Sequence, residues 1–291
     1  MKAGAFEYFA PRDMDEACRY LENNSGAKVL AGGQSLVPMM NFRIVQPTAL
    51  MDINLMGDYG YIYVDDGHLV IGALARHQEV LTNPWVRAEW PLISQALKFV
   101  GHPAIRNRGT VCGSVAHADP AAEMPAVMTA LNATMVTQSV HGSRSLGPNE
   151  FFLGYLTTAL DANELIKEIR IPALPPMTGT QYMEISRRPG DFALVGVAAV
   201  ISIRDLKVSD ARIVLTGVGP TPFRAPEAES LIIGSPLDHC PQVFHEAASL
   251  IQSTLTPEDD IHASSSYRRH LAGVLIERAL LDALTNVLQR A

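Results

Sequence analysis

Cysteine is scarce in this sequence, and this limits the metal chemistry that the chain can perform by itself. Its 291 residues include three cysteines, Cys18, Cys112 and Cys240, and none of them forms a CxxC pair. Three separated thiols cannot ligate a four-cysteine iron–sulfur cluster or a closed zinc site. The nine histidines show no HExxH or similar ligand spacing. Any metal centre that acts together with this chain is therefore expected on another chain.

Basic runs and long apolar runs are also missing. The chain carries 23 Lys and Arg against 30 Asp and Glu, a formal net charge of −7, whereas nucleic acids are bound through clustered Lys and Arg. No segment of about 18 uninterrupted apolar residues is present, so no membrane span is expected. The first residues lack the long apolar core of a signal peptide. These absences predict a cytoplasmic protein with neither a nucleic-acid partner nor a membrane span.

The order of predicted elements indicates an α+β fold with more than one domain. Short strands near 6–9, 28–31 and 49–53, with a helix between the first two, predict a small βαβ-type unit. Asp13 is expected to cap this helix, with Glu16 as its reciprocal partner. Further on, Asp65-Asp66-Gly67 between two short strands predicts a hairpin.

A change of pattern follows the proline-rich stretch 172–179, which is the strongest linker candidate. Beyond it, long strands near 181–186, 193–204 and 208–218 precede helices through residues 226–290. Strands followed by helices are typical of an α+β module. The predicted domains are an N-terminal α/β domain at 1–55, a second α/β domain at 56–175, and a sheet-plus-helices domain at 176–291.

Two glycine-containing turns carry the functional prediction. The stretch Lys28–Leu36, KVLAGGQSL, is a short apolar strand followed by Gly32 and Gly33 and then by small polar residues. Glycine adopts positive φ at low cost, so both glycines are expected to expose their N–H groups, with Gln34 and Ser35 adding side-chain donors. Consecutive N–H groups in such a turn form an anion site.

The second turn is Gly109–Ser114, GTVCGS. Each turn alone is a weak signal, because most such turns only connect elements. Together they predict that the two turns hold the diphosphate of one dinucleotide.

Three motifs in order resemble a known family. They are Ala31–Ser35 (AGGQS) with downstream Leu36, Pro38 and Asp52; Arg106–Ser114 (RNRGTVCGS) followed by Ala116–Pro125 (AHADPAAEMP); and Ile185–Ala193 (ISRRPGDFA). The family is the FAD-binding medium subunit of molybdenum hydroxylases, similar to carbon monoxide dehydrogenase medium subunits and to the flavin domain of xanthine dehydrogenase. The resemblance covers nearly the whole chain. It implies two α/β FAD-binding subdomains of the PCMH type, then a C-terminal domain with a three-stranded antiparallel sheet and helices.

The resemblance also implies which residues bind FAD. Backbone N–H groups of Gly32–Ser35 and Cys112–Ser114 would hold the diphosphate, Thr110 would hydrogen-bond the cofactor, and Lys28–Leu30 with Ile166 would line its adenosine end. The implied cofactor-binding residues are Lys28, Val29, Leu30, Ala31, Gly32, Gly33, Gln34, Ser35, Leu36, Gly101, His102, Thr110, Val111, Cys112, Gly113, Ser114, Glu123, Ile166, Tyr182 and Met183. No catalytic acid or base is expected, because hydride and electron transfer are the chemistry of the flavin itself.

Several positions depart from the family pattern. Glu123 stands where relatives carry an Asp that accepts hydrogen bonds from sugar or ribityl hydroxyls; the alternative is an exposed helix residue. Cys112 occupies a turn that usually has a second glycine, and a packed side chain is expected there rather than a reactive thiol. Tyr182 would lie near the isoalloxazine ring, and Met183 replaces a lysine of some relatives.

The cluster Arg187, Arg188 and Asp191 has two readings that the sequence leaves open. It either lies near the flavin or forms a structural ion pair at an exposed turn.

The resemblance implies an electron-transfer subunit with noncovalent FAD. A large subunit would carry molybdopterin and a small subunit two [2Fe–2S] clusters. The electron acceptor, whether NAD⁺, a quinone, a protein carrier or O₂, stays open. Two alternatives are a stand-alone flavin oxidoreductase of the alcohol-oxidase type and a nucleotide-binding regulatory protein without a redox role.

The expected assembly is a dimer of heterotrimers, in which each heterotrimer contains one large subunit, one small subunit and this chain. That stoichiometry comes from the resemblance alone, since nothing in the composition or the spacing of residues bears on it.

Overall fold

The computed structural model describes residues 2–289, which form a mixed α/β structure. Its strands are β1 (Glu7–Phe9), β2 (Ala27–Leu30), β3 (Ala49–Asp52), β4 (Ile62–Asp65), β5 (His68–Gly72), β6 (Thr134–Ser139), β7 (Gly142–Leu146), β8 (Phe152–Gly154), β9 (Thr157–Thr158), β10 (Leu165–Pro172), β11 (Thr178–Ser186), β12 (Ala193–Arg204), β13 (Lys207–Thr216) and β14 (Phe223–Arg224). Its α-helices are α1 (Met14–Asn23), α2 (Leu36–Asn41), α3 (His77–Thr82), α4 (Pro84–Glu89), α5 (Pro91–Leu97), α6 (Pro103–Arg106), α7 (Val111–His117), α8 (Glu123–Ala130), α9 (Pro148–Phe151), α10 (Pro226–Ile232), α11 (Cys240–Thr254) and α12 (Ser265–Leu288). Short 3₁₀ helices span Ile53–Leu55, Gly57–Tyr59 and Leu237–His239.

Two compact units divide these elements. The first takes the chain up to Val80 together with His102–Ala118 and Ala133–Pro172. The second takes Leu81–Gly101, Asp119–Asn132 and the chain from Ala173 onward. The division into three domains at 1–55, 56–175 and 176–291 remains a prediction, which the grouping into two units does not test.

A small parallel sheet opens the first unit. Its strand order is β1-β3-β2, with β1 and β2 both parallel to β3. Helix α1 buries Met14, Ala17, Cys18 and Leu21, a spacing that places them on one helical face. Asp13 caps the helix, because its Oδ1 accepts the Glu16 N–H at 2.7 Å. The predicted helix and its Asp13 cap are therefore confirmed, whereas the reciprocal bond differs, because Glu16 Oε2 accepts the N–H of Arg12 at 2.8 Å.

The larger sheet of the first unit has the order β4-β5-β10-β6-β7, and every neighbouring pair is antiparallel. The predicted hairpin joins β4 to β5 through Asp66 and Gly67, whose φ values are 45° and 71°. Two successive positive φ values match the twist of paired strands. Buried Leu69, Val70 and Ile71 make β5 a central strand.

The second unit is built on the antiparallel sheet β11-β12-β13-β14. The three long strands were expected, and β14 adds a two-residue strand at one edge. Helix α12 packs on β11 and β12, and Gly179 allows the approach, since a Cβ there would lie 1.9 Å from the Ala283 carbonyl oxygen. The core of this unit joins the inner strand faces to α11 and α12.

Side-chain hydrogen bonds attach two earlier chain segments to this second sheet. Gln95 on α5 donates to the Thr180 carbonyl oxygen at 3.0 Å. The Thr216 hydroxyl donates to the carbonyl oxygens of Pro120 and Ala122 at 2.7 and 2.9 Å. These bonds explain why 81–101 and 119–132 group with the C-terminal part of the chain.

Candidate cofactor site

The first glycine segment, Gly32–Ser35, connects β2 to α2 in the first unit. Within residues 2–289, the backbone N–H groups of Gly33, Gln34 and Ser35 have no hydrogen-bond acceptor. Gly33 has a φ of 71°, which turns the chain so that successive N–H groups can face one point. Three partly exposed donors in a row are the arrangement that binds an anion such as a phosphate.

Two details of this segment differ from the prediction. Gly33 alone has positive φ, whereas Gly32 is needed for packing, because a Cβ there would lie 2.3 Å from the Arg108 carbonyl oxygen. The Gln34 side chain donates at 2.9 Å to the Gly32 carbonyl oxygen of its own turn. The Gln34 side chain therefore stabilises its own turn, whereas the sequence predicted it as a donor to the ligand.

The second glycine segment, Gly109–Ser114, is a helix start and the prediction of a turn was wrong. Thr110 is the N-cap of α7, and its Oγ1 accepts the Gly113 N–H at 3.1 Å. The Ser114 N–H donates to the Thr110 carbonyl oxygen at 3.0 Å. The N–H groups of Gly113 and Ser114 are thus already hydrogen-bonded to Thr110 at the start of α7. An anion bound by both N–H groups would have to share them with Thr110.

Both glycine segments lie in the first unit and contact each other. A Cβ on Gly32 would also lie 2.6 Å from the Gly109 Cα, so only glycine permits this approach. The sequence-based expectation that the two segments come together is confirmed.

Cys112 is packed, as expected. It is 3% exposed, and its Sγ lies 3.5 and 3.6 Å from the carbonyl oxygens of Gly72 and Ile71. Burial raises the pKa of the Cys112 thiol, with the Glu168 carboxylate adding to the rise. The protonated thiol is a poor nucleophile.

Asn54 and Arg76 connect the two glycine segments, and the sequence analysis missed both. Arg76 Nη1 donates to the Arg108 carbonyl oxygen and Nη2 to Asn54 Oδ1, each at 2.6 Å. Asn54 Nδ2 donates to the Ala31 carbonyl oxygen at 2.9 Å. A signal for Asn54 existed: it follows β3, and the carboxyl ends of the parallel strands β2 and β3 meet at one edge of the sheet. No local pattern indicates Arg76.

His77 lies directly behind the second glycine segment. Its backbone N–H donates to the Gly109 carbonyl oxygen at 2.9 Å, and a Cβ on Gly109 would lie 3.0 Å from its Nδ1. The ring is 4% exposed, and neither ring nitrogen has a hydrogen-bond partner in the described residues. Burial lowers the pKa of His77 to about 4, with the Thr110 backbone opposing and the Arg106 cation adding to the fall. A neutral imidazole therefore supports the segment.

The second unit contains an acidic cluster in which Glu123 and Tyr182 are buried and Glu184 is partly buried. The Tyr182 hydroxyl donates to Glu184 Oε2 at 3.0 Å, and the Tyr182 ring packs on Phe99 with centroids 5.6 Å apart. Burial raises the pKa of Glu184 to about 7, although the bond from Tyr182 opposes the rise. Burial also raises the pKa of Glu123 to about 8, and repulsion from Glu184 adds to it.

Glu123 is 5% exposed, so the alternative of an exposed helix residue was wrong. Glu184 was missed by the sequence analysis, because its burial depends on the strand pairing opposite Gly196. Contact of Glu123, Tyr182 and Met183 with the cofactor stays a prediction.

The other predicted site residues are distributed over both units. Ile166 is buried in β10, Lys28 is exposed in β2, and His102 is exposed at the start of α6. Gly101 belongs to the second unit and has a φ of 46°. Contact of these four residues with the cofactor remains a prediction. Val29, Leu30, Ala31 and Leu36 are partly buried around the first glycine segment, and Val111 is buried in α7.

The cluster after β11 forms ion pairs. Asp191 Oδ2 lies 3.6 Å from Arg187 Nη2 and 3.3 Å from Arg188 Nε. This geometry agrees with the structural alternative for these residues.

Residues 2–289 contain neither a metal-binding cluster nor a helix able to cross a membrane. No group of His, Cys, Asp and Glu side chains could hold a metal ion. No helix in this part of the chain has the length and apolar character needed to cross a bilayer.

Comparison with known proteins decides the family. The family model described as the FAD binding domain in molybdopterin dehydrogenase matches residues 4–174. The chain belongs to this FAD-binding family. The model of the CO dehydrogenase flavoprotein C-terminal domain matches residues 180–283. The family and the fold class predicted from the motifs are confirmed.

Similar proteins match over almost their full length. The glyceraldehyde dehydrogenase medium chain of Sulfolobus acidocaldarius is 38% identical over 277 residues, covering 95% of this chain and 98% of the relative. The 6-hydroxypseudooxynicotine dehydrogenase complex subunit alpha of Paenarthrobacter nicotinovorans is 38% identical over 289 residues, covering 98% and 96%. A solved structure of carbon monoxide dehydrogenase from Hydrogenophaga pseudoflava has a TM-score of 0.94 at 37% identity, covering 98% of this chain and 99% of that chain.

Membership of this FAD-binding family defines the cofactor and the class of protein. The cofactor is FAD, and the chain is a flavoprotein subunit of the oxidoreductase class. The unpartnered N–H groups of the first glycine segment fit the charge of its diphosphate.

Proposed function

We propose that this chain is the electron-transfer subunit of a heteromeric molybdenum hydroxylase. In this proposal, electrons from [2Fe–2S] clusters on a small partner subunit leave through FAD to an external acceptor, and molybdopterin lies on a large partner subunit. When bound, FAD supplies the chemistry that exchanges electrons one or two at a time. The residues of this chain bind and orient it.

The observation that carries the proposal is the pair of glycine segments in the first unit. Gly33, Gln34 and Ser35 offer unpartnered N–H groups beside the N-cap of α7. Thr110 accepts a hydrogen bond with Oγ1, so its hydroxyl proton remains available for a cofactor oxygen. These donors suit a diphosphate held noncovalently.

The three cysteines support placing the clusters on another chain. Cys18, Cys112 and Cys240 are each buried and unpaired, and they lie in separate elements. A [2Fe–2S] cluster needs four ligands that converge on one point.

The first experiment measures FAD on the purified full chain. We expect a yellow protein that releases FAD on denaturation, since no covalent bond is proposed. A colourless chain that does not bind added FAD would contradict the proposal. Binding of ADP without flavin would favour a nucleotide-binding regulatory protein, and oxidation of a small alcohol by the isolated chain would favour a stand-alone oxidoreductase.

The second experiment tests the assembly in the source cell. Affinity purification of the tagged chain should recover a molybdopterin-containing large subunit and a small iron–sulfur subunit in the soluble cytoplasmic fraction. Native mass spectrometry should give the mass of a dimer of heterotrimers. Recovery of the chain alone from cells that contain FAD-loaded protein would contradict the proposed partners.

A further inference from the structure

We propose that Asn54 and Arg76 form a brace that sets the spacing of the two glycine segments and so positions their donors for the cofactor diphosphate. The proposal rests on the proposed FAD-binding function and assigns positioning roles to two residues outside the glycine motifs.

The brace is a continuous chain of hydrogen bonds within the first unit. Directly before the first segment, the Ala31 carbonyl oxygen accepts from Asn54 Nδ2, and Asn54 Oδ1 accepts from Arg76 Nη2. Arg76 Nη1 then donates to the Arg108 carbonyl oxygen, directly before the second segment. Each bond is between 2.6 and 2.9 Å long. The brace therefore ties together the two peptide groups that precede the glycines.

Both ends of the brace are themselves fixed. Asp52 Oδ1 accepts from the Asn54 backbone N–H at 3.0 Å and from Nδ2 at 2.5 Å. On the other side, the backbone of Arg76 pairs with Thr110, and the neighbouring His77 N–H donates to the Gly109 carbonyl oxygen. These bonds hold the Asn54 side chain and the Arg76 backbone, the two points from which the brace is built.

The brace acts where the two segments touch. The Arg108 carbonyl oxygen that accepts from Arg76 is the atom that a Cβ on Gly32 would meet at 2.3 Å. The bond to Arg76 fixes the carbonyl group against which Gly32 packs, and the unpartnered N–H groups of Gly33, Gln34 and Ser35 directly follow Gly32. A planar peptide group points its N–H and C=O in opposite directions. Holding the Ala31 carbonyl oxygen therefore aims the Gly32 N–H away from the brace.

Charge favours an anion at the same place. The guanidinium groups of Arg76 and Arg108 repel each other, and Asp52 and Glu79 partly offset that repulsion. Arginine stays protonated in proteins, so a diphosphate beside the pair would relieve the repulsion. The planar fork of a guanidinium holds two acceptors at a fixed separation, whereas the single ammonium nitrogen of lysine does not.

The test compares variants of the full chain after removal of FAD. We expect Arg76→Met and Asn54→Ala each to raise the Kd for FAD and for ADP by about 10- to 100-fold, because charge-assisted hydrogen bonds that position the donors are lost. Affinity for riboflavin, which has no phosphate, should stay within about twofold, as the brace acts on the diphosphate donors alone. The matched control is Arg144→Met, which removes an ion pair with Glu164 and a bond to the Ala159 carbonyl oxygen in the same unit. It should leave all three affinities unchanged.

Two comparisons separate the brace from simpler roles. Arg76→Lys keeps the charge, so recovery of full FAD affinity would show an effect of charge alone and would overturn the brace. The double variant Asn54→Ala/Arg76→Met should lose no more affinity for FAD than the single variant that binds FAD more weakly, because both residues belong to one chain of bonds. Additive losses, or a lowered Tm with unchanged Kd for FAD, would also overturn it.

The outcomes are distinguishable from failure of the proposed function. If the wild-type chain does not bind FAD, the proposed function fails. If the wild-type chain binds FAD and the Arg76 and Asn54 variants bind it equally well, only the brace fails.

Discussion

Individual glycines in the first segment have different physical roles. Gly33 needs positive φ, and its missing Cβ would point at Leu30 and Val37, 3.0 and 3.2 Å away. Gly32 needs space beside Arg108. Neither Cβ would point into open space, so a substitution acts by distorting the turn that carries the donors. A larger side chain at Gly33 would therefore disturb the turn rather than block a phosphate directly.

Gly33→Ala tests this distinction. A residue with a Cβ at positive φ costs about 1 kcal/mol, so the free energy of unfolding should fall by about that amount in urea titrations. FAD affinity should fall as well, because the N–H groups of Gly33–Ser35 change direction.

Gly67→Ala is the matched control for Gly33→Ala. Gly67 has the same φ of 71°, but a Cβ there meets nothing within 4 Å. Its substitution should cost similar stability and leave the Kd for FAD unchanged. Equal FAD affinity in both variants would contradict the role of Gly33.

At the scale of elements, α7 presents the second glycine segment. A seven-residue helix is too short to be stable alone, so its position depends on its cap and its packing. Thr110 supplies the cap, and Gly113 gives it room, since a Cβ at Gly113 would lie 2.6 Å from Thr110 Oγ1. The motif therefore encodes a helix start.

Thr110→Val should destabilise the chain by about 1 kcal/mol through loss of the cap, and it should also weaken FAD binding. Urea titration and FAD titration measure the two effects. Ser264→Ala, which removes the cap of α12, is the control and should lower stability without changing the Kd for FAD. Unchanged FAD affinity in Thr110→Val would contradict a role of Thr110 in cofactor binding.

For the whole molecule, the two units should respond to pH in opposite directions. In the first unit, the pKa of folded His77 is about 4 against an ordinary 6.5, so stability is lost as pH falls from 6.5 to 4. In the second unit, the pKa of folded Glu184 is about 7 against an ordinary 4.5. Folding there favours the protonated acid, so stability is lost as pH rises from 4.5 to 7.

Glu184→Gln should remove the contribution of Glu184 to the pH dependence of the second unit, while the contribution of Glu123, whose pKa is also raised, remains. On the FAD-free chain, we expect the second unit to gain stability on the order of 2 kcal/mol at pH 8 and little at pH 4.5. Hydrogen exchange of peptides from β11 and β12 measures the change. Exposed Glu89, replaced by Gln, is the control, and a gain of equal size at both pH values would contradict the assignment.

Much of the fold could be predicted from local patterns. The cap at Asp13, the hairpin at Asp66-Gly67 and the long strands β12 and β13 follow from residues close in sequence. The short strands β8, β9 and β14 were not predicted, because two or three residues carry no periodic signal. The helix start at Thr110 was taken for a turn, since glycine inside a helix lowers the helical signal.

The features of the candidate site also divide into those that short motifs predict and those that only the folded chain shows. By itself, the sequence determined the family and the FAD cofactor, because both follow from residues within short motifs, whereas only the structure shows that Gly33 and not Gly32 takes positive φ. Only the tertiary structure decided that Gly32 packs against Arg108, that Arg76 joins the two segments through Asn54, and that Glu123 is buried and Glu184 partly buried near Tyr182. These contacts join residues far apart in the chain, and burial and hydrogen bonding between such residues arise only when the chain has folded.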